Sequence, residues 1–109
     1  MKVQMMRRLG VLAAALVLSP SALAGDPARG QAKSTVCAAC HGVDGNSPTP
    51  EFPRIGGQYE DYLLQALLAY KHGERKNPIM ASQVESLSRQ DLADLAAWYA
   101  SQPGLVFKR

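Results

Sequence analysis

Cys37-Ala38-Ala39-Cys40-His41 is the segment whose residue types and spacing can do chemistry. It reads C-x-x-C-H, the arrangement that attaches a c-type haem. On a helix, Cys37 and Cys40 fall at i and i+3, so both thiols leave one face and can bond the two vinyl groups along one porphyrin edge. His41, at i+4 from Cys37, can then turn an imidazole nitrogen onto the iron. The two small alanines let the porphyrin edge approach the backbone. Three other readings compete. A disulfide between the cysteines would need no following histidine. A thioredoxin-like redox pair belongs in a βαβ setting, for which this chain offers no strands. A zinc site needs four ligands, and the other histidine, His72, lies thirty-one residues beyond His41, outside the usual spacing.

The elements that must position this motif read as helices. Asp26-Pro27 supplies an N-cap and a proline at the first helical position, opening a helix that runs through Ala28, Ala32 and Val36 to the cysteines. Gly30 inside it costs about 1 kcal/mol relative to Ala. It marks either a second helix crossing close by or a tolerated glycine. From Gly42 to Gln58, glycines and prolines forbid a long regular element, and a loop of this length in a small domain has something to cover. Tyr59, Tyr62, Leu63, Ala66, Leu67 and Tyr70 then form one face of a helix ended by Gly73. The tyrosines on it read as core residues with hydroxyls at the edge. Ser88 to Asp91 resembles a capping box, and Leu92, Leu95, Ala96 and Tyr99 continue an apolar face, giving a last helix over roughly residues 89–101. After residue 24 there are only two isoleucines, four valines and two threonines, and nothing alternates with a strand's period. The fold class is all-α.

Composition sets the setting. The 12 Lys+Arg against 9 Asp+Glu give +3, but the whole excess comes from Lys2, Arg7 and Arg8, and residues 25–109 are neutral, which argues against a nucleic-acid partner. Those three cations precede the apolar run Leu9–Leu18, and Ala22-Leu23-Ala24 has the small-x-small pattern of a cleavage site, so residues 1–24 read as a signal peptide removed on export to the periplasm. Ten apolar residues are too few for a membrane span, which needs about 20; no stable membrane anchor is expected. The remaining 85 residues hold 22 large apolar or aromatic side chains. That core is thin, and a large flat apolar cofactor would become the centre on which the helices pack.

With these features the sequence resembles a monohaem class I cytochrome c, and Asn77-Pro78-Ile79-Met80 followed by the capped last helix is most similar to the bacterial cytochrome c-553 and cytochrome c4 type. The resemblance covers almost all of residues 25–105. It implies a small all-α fold packed around one covalently attached haem c, with Cys37 and Cys40 as thioether attachments and His41 and Met80 as axial iron ligands. It also implies that the carbonyl of Pro53, twelve residues beyond His41, accepts a hydrogen bond from the other nitrogen of His41. Independently of the family, Met80 is the only methionine left after export and lies in a proline-containing loop between two strong helices. Its rival as iron ligand is His72, in the last turn of the middle helix, where a solvated histidine is the plain alternative. Arg54 and Gln58 are candidates for the haem carboxylates, Trp98 and Tyr99 for the pocket or the core. Lys71, Arg75 and Lys76 form a basic cluster that reads as a docking patch or a solvated face.

The function these features imply is electron transfer by a periplasmic carrier that is not itself an enzyme. Its single iron cycles between Fe(III) and Fe(II), and its partners are membrane respiratory complexes or periplasmic oxidoreductases. The alternative is the cytochrome subunit of a periplasmic dehydrogenase or oxidase complex. A gas-binding role would require that the Met80 bond be absent or labile.

Overall fold

The computed structural model describes residues 24–105, together with residues 10, 13 and 14. Residues 1–24, read as the signal peptide, thus lie almost wholly outside the described residues. Among the described residues five helices follow one another: α1 (Pro27–Lys33), α2 (Thr35–His41), α3 (Glu60–His72), α4 (Pro78–Val84) and α5 (Arg89–Ala100). No strand occurs among the described residues.

Asp26 caps α1 as its sequence suggests, its carboxylate accepting from the backbone N–H groups of Ala28 and Arg29 at 2.9 and 3.3 Å. The single helix expected from Pro27 to the cysteines is divided at Ser34. The Ser34 backbone N–H and hydroxyl both donate to the carbonyl of Gln31, at 3.2 and 2.8 Å. A hydroxyl that competes for backbone in this way tightens the turn and ends regular α geometry. The cysteine motif therefore rides on its own short helix.

α5 is the centre of the fold because it packs on α1 along one side and on α3 along another. Its Ser88–Asp91 capping box is formed, and Leu92, Leu95, Ala96 and Tyr99 are all buried. At the α1–α5 crossing, Gly30 explains itself: a Cβ there would run into the backbone carbonyl of Asp94 and stand 2.8 Å from the Cβ of Trp98. Beside it, fully buried Asp94 accepts from Lys33 Nζ at 2.6 Å, and from the Asp26 backbone N–H and Gln90 Nε2, each at 2.9 Å. Lys33 reaches Asp91 as well, at 2.7 Å. Burial pushes the Asp94 carboxyl up, but these donors outweigh it and leave it at about 2.

The other side of the molecule is less filled. Only Leu63 of α3 is fully buried, and Tyr59 and Tyr62, expected in the core, are 52% and 51% exposed. The periodic face packs on α5 through Leu63 and Leu67, and its Tyr62, Ala66 and Tyr70 border a cavity. α3 ends at Gly73, which adopts the left-handed conformation (φ 77°), letting the N–H groups of Glu74 and Arg75 return to the Ala69 carbonyl at 2.9 and 3.1 Å. The stretch around Met80, expected to be a loop, is the short helix α4. Asn77 accepts from the N–H groups of Ile79 and Met80 at 3.0 and 3.2 Å, and Pro78 holds the first helical position.

Candidate functional site

α2, the 42–59 loop, α3, α4 and α5 together wall a cavity of about 230 Å3. α2 contributes Cys37 and His41; the loop contributes Pro53, Arg54, Ile55 and Gln58. α3 lines it with Tyr62, Leu63, Ala66, Leu67 and Tyr70, the face read from periodicity. Met80 enters from α4, and Leu95, Ala96 and Tyr99 close the cavity from α5.

The loop is held by α5, by the segment that follows α5 and by bonds within itself. Gly57 N–H donates to the Tyr99 carbonyl at 2.9 Å, Asn46 Nδ2 to the Pro103 carbonyl at 2.8 Å, and the N–H groups of Ile55 and Gly56 to the Gly45 carbonyl at 2.8 and 3.0 Å. This puts Pro53 beside the motif. His41, only 8% exposed, has Nδ1 2.8 Å from the Pro53 carbonyl oxygen. A carbonyl can only accept, so Nδ1 carries the proton and Nε2 keeps a lone pair free for an electrophile.

Cys37 and Cys40 are free thiols, both partly buried. Cys37 lines the cavity; Cys40, one turn further along α2, is not part of its wall. Burial pushes the Cys37 thiol up, the opposite of what an activated redox cysteine requires. Among the described residues no group of three or more His, Cys, Asp or Glu side chains could hold a metal ion, which removes support from the zinc reading. His72 lines a separate groove with Asp61, Gln65 and Arg89 and has no place on the wall that holds Met80.

A flat apolar group fits this cavity. The walls are mainly aliphatic and aromatic, and an imidazole nitrogen and a thioether sulfur are present on them. The Tyr99 hydroxyl is buried on the same wall, where Ser34 and the Cys37 thiol interact with it.

Trp98 packs on the core, its Cβ next to Gly30 at the α1 crossing, and leaves the cavity to Tyr99. The basic cluster does not act as a unit. Lys71 Nζ donates to the Glu85 carbonyl at 2.9 Å, while Arg75 lies on the cavity wall with its guanidinium carbon 4.9 Å from the Tyr70 ring centroid. Sequence reading missed this position for Arg75. The available signal was Gly73, whose left-handed turn folds the next residues back toward the end of α3.

The model of the cytochrome c family matches residues 27–102. A cytochrome c4 of Pseudomonas aeruginosa is 56% identical over 79 residues, covering 72% of this chain and 39% of that protein. Cytochrome c-554(548) of Halomonas halodenitrificans is 43% identical over 82 residues, covering 72% of this chain and 99% of that protein. The crystal structure of reduced recombinant cytochrome c4 from Pseudomonas stutzeri superposes with a TM-score of 0.71 at 49% identity, over 76% of this chain and 48% of that one. The chain spans less than half the length of these cytochromes c4.

Proposed function

Because the chain belongs to the cytochrome c family, and is therefore an electron-transfer protein with covalently bound haem c, we propose that it is a periplasmic carrier holding one haem between His41 and Met80. The observation that carries this reading is one apolar cavity that has the Cys37 thiol, an imidazole oriented through Nδ1 and the Met80 side chain on its walls.

When bound, haem supplies a one-electron Fe(III)/Fe(II) couple. The chain's residues do the rest. Cys37 and Cys40 fix the porphyrin edge to α2. Pro53 sets the tautomer and orientation of His41, leaving Nε2 as the nitrogen that would hold the iron. Asn77 fixes the backbone from which Met80 extends its sulfur. Leu63, Leu67, Leu95 and Ala96 exclude water. Held by both His41 and Met80, the iron would offer no site to oxygen or peroxide, which fits a carrier better than an enzyme. A soft neutral thioether favours ferrous iron and raises the potential.

Export follows from residues 1–24 acting as a cleaved leader, giving a mature protein that begins at Gly25. No helix among the described residues is long and apolar enough to cross a membrane. Partners are redox proteins, membrane respiratory complexes or periplasmic oxidoreductases, met through transient contacts.

The test is the weak far-red iron–sulfur charge-transfer band of the oxidised, exported protein. It is expected in the unmutated protein and lost in Met80→Ala, which should gain carbon monoxide binding, while His72→Ala leaves the spectrum unchanged. A band absent from the unmutated protein, or surviving in Met80→Ala, overturns the ligand assignment.

A further inference from the structure

The cavity wall carries a cation that the chemistry above leaves unused. Arg75 lines the same cavity as Met80, five residues before it. Its guanidinium lies over Tyr70, another wall residue, at 4.9 Å from the ring centroid. Its backbone is pinned too, since its N–H returns to the Ala69 carbonyl at 3.1 Å through the Gly73 turn. An arginine on a surface stretch would ordinarily extend its head into water. Arg75 is itself exposed, and stacking on the Tyr70 face keeps its planar guanidinium at the edge of the wall.

Among the described residues no carboxylate stands within ion-pair distance of Arg75. Of the charged residues on the same stretch, Lys71 is engaged by the Glu85 carbonyl, and Glu74 and Lys76 are exposed.

We infer that Arg75, held by Tyr70, is a potential-setting residue: a fixed positive charge on the cavity wall that favours the reduced state of the iron bound there. The inference rests on the haem-binding reading above. When Fe(III) accepts one electron from a donor protein to become Fe(II), the site loses one positive charge. A cation on the wall therefore destabilises the ferric state more than the ferrous. At the effective dielectric of a partly exposed wall, one such charge changes the ferric-to-ferrous ratio at fixed ambient potential roughly threefold to tenfold; a tenfold change in a one-electron couple corresponds to about 59 mV.

The experiment is a spectroelectrochemical titration of the exported holoprotein and of Arg75→Gln, Arg75→Lys, Tyr70→Leu and the double variant Arg75→Gln/Tyr70→Leu. The far-red band is recorded for each. Arg75→Gln should raise the ferric-to-ferrous ratio roughly threefold or more, with the band retained. Arg75→Lys, which keeps the charge but not the planar stack, should move it less. Tyr70→Leu, which frees the guanidinium into water, should shift it in the same direction by a smaller factor, and the double variant should add nothing to Arg75→Gln. An unchanged ratio in Arg75→Gln overturns the inference. So does loss of the band in that variant, which would make Arg75 a support for the Met80 segment. Failure of the underlying reading shows separately, as an unmutated protein without a c-type haem spectrum.

Discussion

The α1–α5 crossing and the α3–α4 side of the molecule are built from similar helices but completed differently. At the crossing, every surface meets another surface: Gly30 lets the backbones touch, and buried Asp94 is answered by Lys33, Gln90 and the Asp26 N–H. Across the α3–α4 side, an apolar helix face and the loop containing Pro53 and Arg54 meet a cavity. The first region closes with protein alone; the second is a half-core whose other half is the cofactor. A chain with so few large apolar residues can fold because the cofactor supplies what the side chains do not.

The largest effect should come from denying the second region its cofactor. Cys37→Ala together with Cys40→Ala is expected to abolish stable haem attachment in the exported protein. Hydrogen exchange should then show α3 and α4 losing protection while the α1–α5 crossing keeps more of it. Equal loss in both regions would erase the contrast, and release of haem from the unmutated protein by acid–organic extraction would remove its basis.

A smaller, opposite break is Asp94→Asn, which strikes the self-sufficient region. Its folded-state pKa of about 2 lies below the unfolded value of about 3.9. The stabilisation is therefore fully present above about pH 4 and is lost as pH falls through about 2. Denaturant unfolding should show a loss of about 2 kcal/mol at neutral pH, with the gap to the unmutated protein closing toward pH 2. A gap independent of pH would mean that packing, not the carboxylate, is what the substitution removed.

The smallest effect should be Asn77→Ala. Removing the α4 cap costs about 1 kcal/mol. Exchange at the Ile79 and Met80 amides should speed up while α5 is untouched. Unaltered exchange there would mean that α4 is held by tertiary contacts alone.

What could be read from sequence followed the same division. α3 and α5 were legible because their apolar spacing is regular, and the Ser88–Asp91 cap and the left-handed Gly73 end appear where expected. The motif from which the cofactor reading starts is local: Cys37, Cys40 and His41 lie within five residues. Asp94 was not legible as a buried residue, because its partner Lys33 is 61 residues away and no local pattern links them. Tyr59 and Tyr62 were assigned to the core because periodicity reports an apolar face without saying what covers it. α4 was missed although Asn77-Pro78 repeats the cap-then-proline signal that located α1 at Asp26-Pro27. Seven residues of helix carry too little periodicity to stand out from a loop. The break at Ser34 escaped for a related reason: its hydroxyl turns to the Gln31 carbonyl one turn back, and nothing in the spacing of Ala28, Ala32 and Val36 marks it.

The cap on α4 has a kinetic meaning. Because the Met80 N–H is already taken by Asn77, the backbone at that residue is fixed whatever its sulfur is doing. If the Met80 sulfur holds the iron as proposed above, its motion to and from that site would need only rotations about the side-chain bonds, which are fast, and not the opening of a segment, which is slow. A sulfur tethered in this way would stay near the site at a high local concentration, ahead of a competing ligand from solution.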